Sequence, residues 1–118
     1  MVEKEQILNN TKAQMRKGVL ELCILSIISE KEAYPSDIIT RLKDIHLVVK
    51  EGTIYPLLSR LKNAGLLHYN WQESTSGPPR KYYHITEMGR DFLGDLLSSW
   101  SQLVNAVNQS TQNIANNE

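Results

Sequence analysis

The amino-acid sequence predicts a mainly α-helical domain with one small β-hairpin, an α+β fold. Three stretches with apolar residues at helical spacing come first, two stretches of alternating apolar and polar residues follow, and a long helical stretch comes last. The chain has 118 residues, 41% of them apolar, which suffices for one core without metal or disulfide support. The predicted order is therefore helix, helix, helix, strand, strand, long helix.

The first two helices are predicted from an apolar run and a proline. The first runs from about Lys4 or Thr11 to Ser29, because polar residues give way to apolar ones on nearly every side after residue 18. A proline pushes the preceding residue out of the helical region. The second helix therefore begins at Pro35 and continues to about Ile45.

The third predicted helix is about a dozen residues long and ends before Gly65, since glycine commonly follows the last helical residue. Its apolar residues lie at positions i, i+3, i+4 and i+7, namely Ile54, Leu57, Leu58 and Leu61. Pro56 has no N–H to donate to the carbonyl of residue 52. We therefore expect a first turn that is distorted or begins late.

Two strands follow, because the apolar period changes from 3.6 residues to 2. The first strand is predicted in LLHYNWQE (66–73) and the second in RKYYHI (80–85). The segment STSGPP between them predicts a hairpin with a long polar tip. Tyr82 and Tyr83 face opposite sides of the hairpin, and we expect Tyr83 and Ile85 to belong to the core.

The last predicted helix has Thr86 as its N-cap and carries an apolar stripe with near-heptad spacing. Such a stripe is too apolar for a lone surface helix and predicts a dimer interface. It consists of Phe92, Leu93, Leu96, Leu97, Trp100, Leu103, Val104 and Val107. Trp100 stands in the middle of the stripe, either as dimer packing or as a platform for a ligand.

Three regions follow from this pattern. Residues 1–85 form a globular domain, residues 86–110 a C-terminal dimerisation helix, and residues 111–118, rich in Asn and Gln, a tail that we expect to be disordered. The sequence leaves open whether residues 1–10 are ordered and join the dimer interface.

Three helices followed by a hairpin is the winged helix-turn-helix arrangement, in which the third helix enters the major groove of double-stranded DNA and the hairpin lies along the backbone. The segments EGTIYPLLSRLKNAGLL (51–67) and GPPRKYYHITEMGRDFL (77–93) resemble the PadR family of bacterial transcriptional regulators. The apolar first helix and the terminal helix also fit, so the resemblance covers nearly the whole predicted fold.

The resemblance implies a homodimeric, DNA-binding repressor that dimerises through its terminal helix. One short subgroup with a single terminal helix is similar in length to this chain. Its multidrug-responsive members bind flat aromatic compounds between a pair of tryptophans at the dimer centre, and Trp100 takes that tryptophan position. The resemblance thus implies a small planar aromatic effector that releases the repressor from DNA. A two-fold dimer would bind a pseudo-palindromic operator.

The charges of the chain are segregated, although 13 basic and 13 acidic residues give a formal net charge of zero. Residues 41–81 carry seven basic and three acidic side chains, a net charge of +4. Residues 82–118 carry a net charge of −3 and residues 1–40 a net charge of −1. Positive charge therefore concentrates in the segment predicted to contact DNA, as neutralisation of phosphates requires.

The candidate DNA contacts lie on the second and third helices and on the hairpin. Arg60 is suited to guanine or phosphate, Ser59 and Asn63 to base edges or phosphate oxygens, and Arg80 and Lys81 to phosphates along one backbone. The full set is Tyr34, Ser36, Lys50, Thr53, Tyr55, Ser59, Arg60, Lys62, Asn63, Arg80 and Lys81. The alternatives are a solvated helix face and a charged hairpin edge that blocks aggregation. A winged-helix protein-interaction module without DNA binding is the rival hypothesis.

The sequence predicts no enzyme, no metal site and no cofactor. His46, His68 and His84 are scattered, with no acid or nucleophile at a fixed spacing. Cys23, the only cysteine, cannot form an intramolecular disulfide and is expected to be an inert core residue. The most apolar run is about half the length of a membrane span, and the N-terminus lacks the pattern of a signal peptide. We expect a cytoplasmic protein with no membrane partner.

Overall fold

The computed structural model describes residues 3–116 and has the predicted order of elements. The elements are α1 (Lys4–Glu30), α2 (Pro35–Asp44), α3 (Glu51–Asn63), β1 (Leu67–Ser74), β2 (Gly77–Ile85), α4 (Glu87–Ser110) and α5 (Gln112–Asn116). The mainly α-helical fold with one antiparallel hairpin and a long C-terminal helix is thereby confirmed.

The core lies where the C-terminal half of α1, the helices α2 and α3, the hairpin and the start of α4 meet. Its most deeply buried large side chains come from α1, α2, α3 and β1, namely Ile24, Leu25, Ile28, Ile38, Leu42, Ile54, Leu58, Leu61 and Leu67. Tyr83 and Ile85 of β2 are buried with them, as predicted. The N-terminal half of α1, residues 4–18, is exposed.

The C-terminal end of α1 is capped by arginines from two other helices. Its last turn contains no basic residue. Arg41 of α2 donates from Nη1 to the carbonyl oxygen of Ile27 at 3.0 Å and forms an ion pair with Glu30. Arg90 of α4 donates to the carbonyl of Ser29 at 3.5 Å. The carbonyls at the end of a helix lack partners within it, so these side chains fix α2 and α4 against α1.

The third helix begins without delay at Glu51, and the N–H of Ile54 donates to the carbonyl of Lys50 at 3.3 Å. The expectation that Pro56 delays the first turn is therefore wrong. Pro56 lies in the second turn, where it removes only one hydrogen bond of the helix.

The predicted long hairpin tip is also wrong, because the strands continue to Ser74 and Gly77 and leave a turn of two residues. The strand pairs run from Leu67 with Ile85 to Gln72 with Arg80, and a bulge follows before Ser74 pairs with Gly77. Glycine and proline are typical of loops, and for this reason the sequence predicts a long tip here. Both are tolerated in a strand at a bulge, however, where a missing N–H leaves no ladder bond unmade.

Two glycines and a threonine join α3, the hairpin and α4. Gly65 ends the α3 segment with a φ of +81°, a conformation that favours glycine. The hydroxyl of Thr86 accepts the N–H of Gly89 at 2.9 Å, which confirms the predicted N-cap, and donates to the carbonyl of Gly65 at 2.7 Å. A Cβ at Gly89 would lie 2.1 Å from the carbonyl oxygen of Leu66. The start of α4 therefore packs directly on the end of α3.

The segment expected to be disordered, 111–118, instead contains α5 up to Asn116; residues 117 and 118 lie outside the described part. The backbone and the hydroxyl of Thr111 both donate to the carbonyl of Val107, at 2.9 and 2.8 Å, and so continue the helical hydrogen bonding past Ser110. Polar composition alone did not reveal this local bonding. Among the described helices, none is long and apolar enough to cross a membrane.

Candidate nucleic-acid interface

The outer face of α3 presents all of its predicted DNA contacts to solvent. Ile54, Leu58 and Leu61 turn inward, which leaves the opposite side polar and exposed. This exposed side holds Thr53, Tyr55, Ser59, Arg60, Lys62 and Asn63. Ser59 and Asn63 lie near its centre, where a helix in the major groove brings side chains to base edges.

Arg60 stands on the flank of α3 that faces α1. Its Nη1 lies 2.9 Å from Oε1 of Glu21, and the Arg60 side chain is 73% exposed against 18% for Glu21. An ion pair with such an exposed member is worth at most about 1 kcal/mol, because water screens it. Arg60 therefore remains able to exchange its carboxylate partner for a phosphate or a base.

The two cations of the hairpin do not point the same way. Side chains alternate between the faces of a strand, and the register pairs Arg80 with Gln72 and Lys81 with Trp71. The expectation that Arg80 and Lys81 are aimed together along one backbone is therefore wrong. Each face of the hairpin carries one of them.

On one face, Arg80 is stacked on an aromatic ring next to α2. Its Cζ lies 3.9 Å from the ring centroid of Tyr34, and the Tyr34 ring packs against Tyr82 at 4.7 Å. Tyr34 is the N-cap of α2, and its N–H donates to Oδ2 of Asp37 at 3.0 Å. Tyr34 is thus half-buried under Arg80, while the neighbouring Ser36 is exposed.

On the other face, Lys81 lies among aromatic rings next to α3. Its Nζ is 4.6 Å from the ring centroid of Tyr69 and 5.5 Å from that of Trp71. The Nζ of Lys62, on α3, is 5.9 Å from the same Tyr69 ring. Sequence reasoning did not include Tyr69 and Trp71 among the candidates, although the alternation in β1 already placed both on the face of Leu67.

The remaining cations of residues 41–81 differ in their surroundings. Lys50 is the exposed N-cap residue of α3, at the edge of the predicted interface. Arg41 is half-buried and is engaged with the end of α1, so it belongs to the scaffold rather than to a surface for DNA. The positive charge available to phosphates is therefore smaller than the net charge of +4 over residues 41–81.

The predicted dimerisation stripe divides into two parts. Leu93 is only 8% exposed and Leu96 is half-buried, and both pack against the core of their own chain. They therefore anchor the first turns of α4 to the core, and their part in a dimer interface stays a prediction. The exposed part of the stripe is Phe92, Leu97, Trp100, Leu103, Val104 and Val107.

A groove of about 660 Å³ separates the C-terminal half of α4 from α1. Trp100, 42% exposed, lines it together with Leu103, Val104 and Val107 of α4, and with Met15 and Val19 of α1. Further along α1, Ile7 and Leu8 are exposed as well. Apolar surface thus extends over both helices.

The cysteine and the histidines lie in different parts of the fold. Burial raises the pKa of the Cys23 thiol, which keeps it protonated and poorly nucleophilic. His68 and His84 are cross-strand neighbours with ring centroids 5.2 Å apart, whereas His46 lies after α2. In the part of the chain that the structure describes, no three His, Cys, Asp or Glu residues are grouped so that they could hold a metal ion.

Comparison with known proteins places this geometry in a family. Residues 24–95 match the model of the transcriptional regulator PadR-like family. The fold is similar to that of a PadR-like transcription factor from Bacteroides fragilis, with 57% identity, coverage of 85% of this chain and 97% of that one, and a TM-score of 0.73. A PadR-like regulator from Bacillus cereus is 44% identical, with 84% and 97% covered and a TM-score of 0.73. A PadR family regulator from Eggerthella lenta is 30% identical, with 89% and 92% covered and a TM-score of 0.83.

Proposed function

The chain belongs to the PadR-like family of transcriptional regulators, and from this premise we propose that it is a homodimeric repressor that binds a pseudo-palindromic operator. Members of this family are DNA-binding regulators of transcription rather than enzymes. The observation that carries the proposal is the exposed polar face of α3 beside a hairpin with two cations held on aromatic rings. We expect the protein in the cytoplasm, because a bacterial operator lies there.

In the proposed complex α3 enters the major groove. Ser59, Asn63 and Arg60 reach base edges there, and Tyr55, Thr53 and Lys62 reach phosphates on either side. Phosphates further along the duplex are contacted by residues of the α2 start, the α3 start and the hairpin, namely Tyr34, Ser36, Lys50, Arg80 and Lys81. Nine of these eleven residues are exposed, which supports this assignment. Tyr34 and Lys81 are half-buried, and Tyr34 would act through Arg80, which stacks on its ring.

The dimer is proposed from the exposed apolar surface of α4. Leu97, Trp100, Leu103, Val104 and Val107 would leave a long apolar strip in water if the chain were a monomer. A second copy packed on this strip by two-fold symmetry would bring two α3 helices to successive turns of DNA, about 34 Å apart. The exposed apolar residues of the N-terminal half of α1 would extend the same interface.

An effector site is proposed in the groove that contains Trp100. A flat aromatic compound would stack on the indole and bury apolar surface of both helices. Planar aromatic compounds should therefore quench the tryptophan fluorescence of the wild type but not that of a Trp100→Phe variant. Equal quenching in both proteins would make Trp71 the reporter and would contradict the site.

The DNA surface is tested by selecting duplexes from a randomised library and titrating the selected duplex at several salt concentrations. Arg60→Ala together with Arg80→Ala should weaken binding by tenfold or more and lower the salt slope by about one, since Arg60 supplies a base contact and Arg80 a phosphate contact. Lys4→Ala together with Lys12→Ala removes the same charge from the exposed start of α1 and serves as the control.

Two results would contradict the proposal in different ways. Unchanged affinity and salt slope in the Arg60 and Arg80 variant would show that DNA binds elsewhere on the molecule. No duplex selected by the wild type, even at low salt, would favour the winged-helix protein-interaction module.

A further inference from the structure

We propose that Tyr69 is a positioning residue for DNA binding, whose ring holds Lys62 of α3 and Lys81 of β2 ready for the phosphates of one backbone strand. The inference rests on the proposed function, because it assigns a role within the same DNA surface. It links the recognition helix to the hairpin through one aromatic side chain.

The Tyr69 ring is fixed in place by the core. Tyr69 is half-buried in β1 and pairs across the hairpin with Tyr83, which is only 3% exposed. The centroids of the two rings are 5.4 Å apart. On its outer side the edge of Trp71 meets Tyr69 at 5.7 Å with an interplanar angle of 89°. A ring held on both sides in this way offers a fixed surface to any charge beside it.

Two ammonium groups from different elements lie against this ring. The Nζ atoms of Lys81 and Lys62 are 4.6 and 5.9 Å from its centroid, within the range in which an aromatic quadrupole attracts a cation. Neither lysine has a carboxylate partner among residues 3–116, where the two ion pairs involve Arg41 and Arg60. The aromatic surface is thus the group in contact with these charges, and it leaves their hydrogen-bond donors free for phosphate oxygens.

The ring matters because lysine is flexible. A lysine that binds a phosphate loses the rotamer freedom of its four-carbon stem, and this loss opposes binding. A lysine already held against a ring loses less. Since Lys62 follows α3 into the groove and Lys81 belongs to the hairpin, a shared ring also fixes the spacing between the two elements. Trp71, 61% exposed and 5.5 Å from the Nζ of Lys81, extends the same surface outward.

The test compares Tyr69→Leu, which removes the ring, with Tyr69→Phe, which removes only the hydroxyl. On a duplex selected by the wild type, we expect Tyr69→Leu to weaken binding about five- to tenfold and Tyr69→Phe by less than twofold, because two contacts between an ammonium group and the ring are lost only in the first. Circular dichroism and thermal unfolding establish that both variants are folded. Equal affinity of the wild type and Tyr69→Leu would overturn the proposal.

A second measurement separates positioning from a general loss of structure. In a background of Lys62→Gln and Lys81→Gln, Tyr69→Leu should change affinity by less than twofold, since the ring has no ammonium group left to hold. An undiminished effect in that background would mean that Tyr69 only supports the fold, and would overturn the proposal. If Tyr69→Leu does not fold, the two lysine variants are compared alone: effects that combine independently would overturn it, and coupled effects would support it.

Failure of the inference and failure of the proposed function give different results. A wild-type protein that binds no selected duplex contradicts the DNA-binding function itself. A wild-type protein that binds tightly while Tyr69→Leu binds equally well contradicts only the role of Tyr69.

Discussion

At the scale of single residues, two arginines of the same basic segment meet different partners on α1. Arg41 and Arg60 both fall within the basic segment 41–81. The structure places Arg41 at the end of α1 and gives Arg60 a carboxylate from α1. Both contacts join residues far apart in the chain, so no local pattern could have predicted them. The exposed face of α3, by contrast, followed directly from the helical spacing of its apolar residues.

Gly89 lies where the backbone of α4 comes very close to the carbonyl group of Leu66. A methyl group at this position would lie 2.1 Å from the carbonyl oxygen of Leu66 and 2.7 Å from the side chain of Ile85. Gly89→Ala should therefore lower the free energy of unfolding by about 1–3 kcal/mol, because α4 must move away from the end of α3. Denaturant unfolding measures the change.

Gly94 of the same helix is the matched control, since a Cβ there meets nothing within 4 Å. Gly94→Ala should be neutral or stabilise the protein by up to about 1 kcal/mol, the gain in helix propensity. Equal effects at both positions would show that the contact between Gly89 and Leu66 does not limit the packing of α4.

Cys23 should react slowly with thiol reagents. Its raised pKa, caused by burial, leaves less thiolate at mildly alkaline pH than in the unfolded chain. The neutral thiol is the form that the fold favours, so this contribution to stability is present below the ordinary pKa and is lost as pH rises through the folded value. Labelling in the presence and absence of denaturant measures the difference. Equal labelling rates would contradict the burial of the thiol.

At the scale of elements, the sequence predicted the type and order of all the elements up to α4, but not how the hairpin turns or how the chain ends. The helices follow from periodicity and from Pro35 and Thr86, which act locally. The hairpin tip depends on a bulge, and α5 on the backbone bonding of Thr111. Residues that prefer loops are compatible with a bulge and with a short helix, so their presence excludes neither.

The cap that Arg41 supplies to α1 should be worth about 1 kcal/mol. Its charge-assisted hydrogen bond to the carbonyl of Ile27 is partly exposed, which reduces the usual value. Arg41→Ala should lower the free energy of unfolding by this amount. Lys43→Ala, on the exposed side of the same helix, removes the same charge and should change it by less than about 0.5 kcal/mol. Equal losses would mean that charge alone, rather than the cap, is responsible.

At the scale of the whole molecule, a net charge of zero hides an uneven distribution of charge along the chain. The net charge is +4 over residues 41–81 and −3 over residues 82–118. We expect weak binding to non-specific DNA, because the acidic end carries no phosphate contacts and opposes close approach. Affinity for a selected duplex should then depend on the base contacts of α3 and on pairing of two copies.

The apolar surface of α4 should decide the oligomeric state. Leu103→Asp together with Val107→Asp places charges on the exposed stripe and should convert a dimer into a monomer, with a large loss of affinity for a palindromic duplex. Sedimentation velocity measures the change. Ser98→Asp, an exposed polar position on the same helix, is the control. A double variant that remains dimeric would show that the interface lies elsewhere.

The junction at Gly65, Thr86 and Gly89 holds the start of α4 against the end of α3, so a change in the direction of α4 is passed on to α3. The Thr86 side chain bonds to Gly65, just after the end of α3, and to Gly89 in the first turn of α4. The 24 residues of α4 give this helix a length of about 36 Å. In the proposed dimer, a tilt of about 5° between the two α4 helices would therefore displace the two α3 helices by about 3 Å, roughly the rise of one base pair. A small change in packing beside Trp100 would suffice to take the two helices out of step with the grooves.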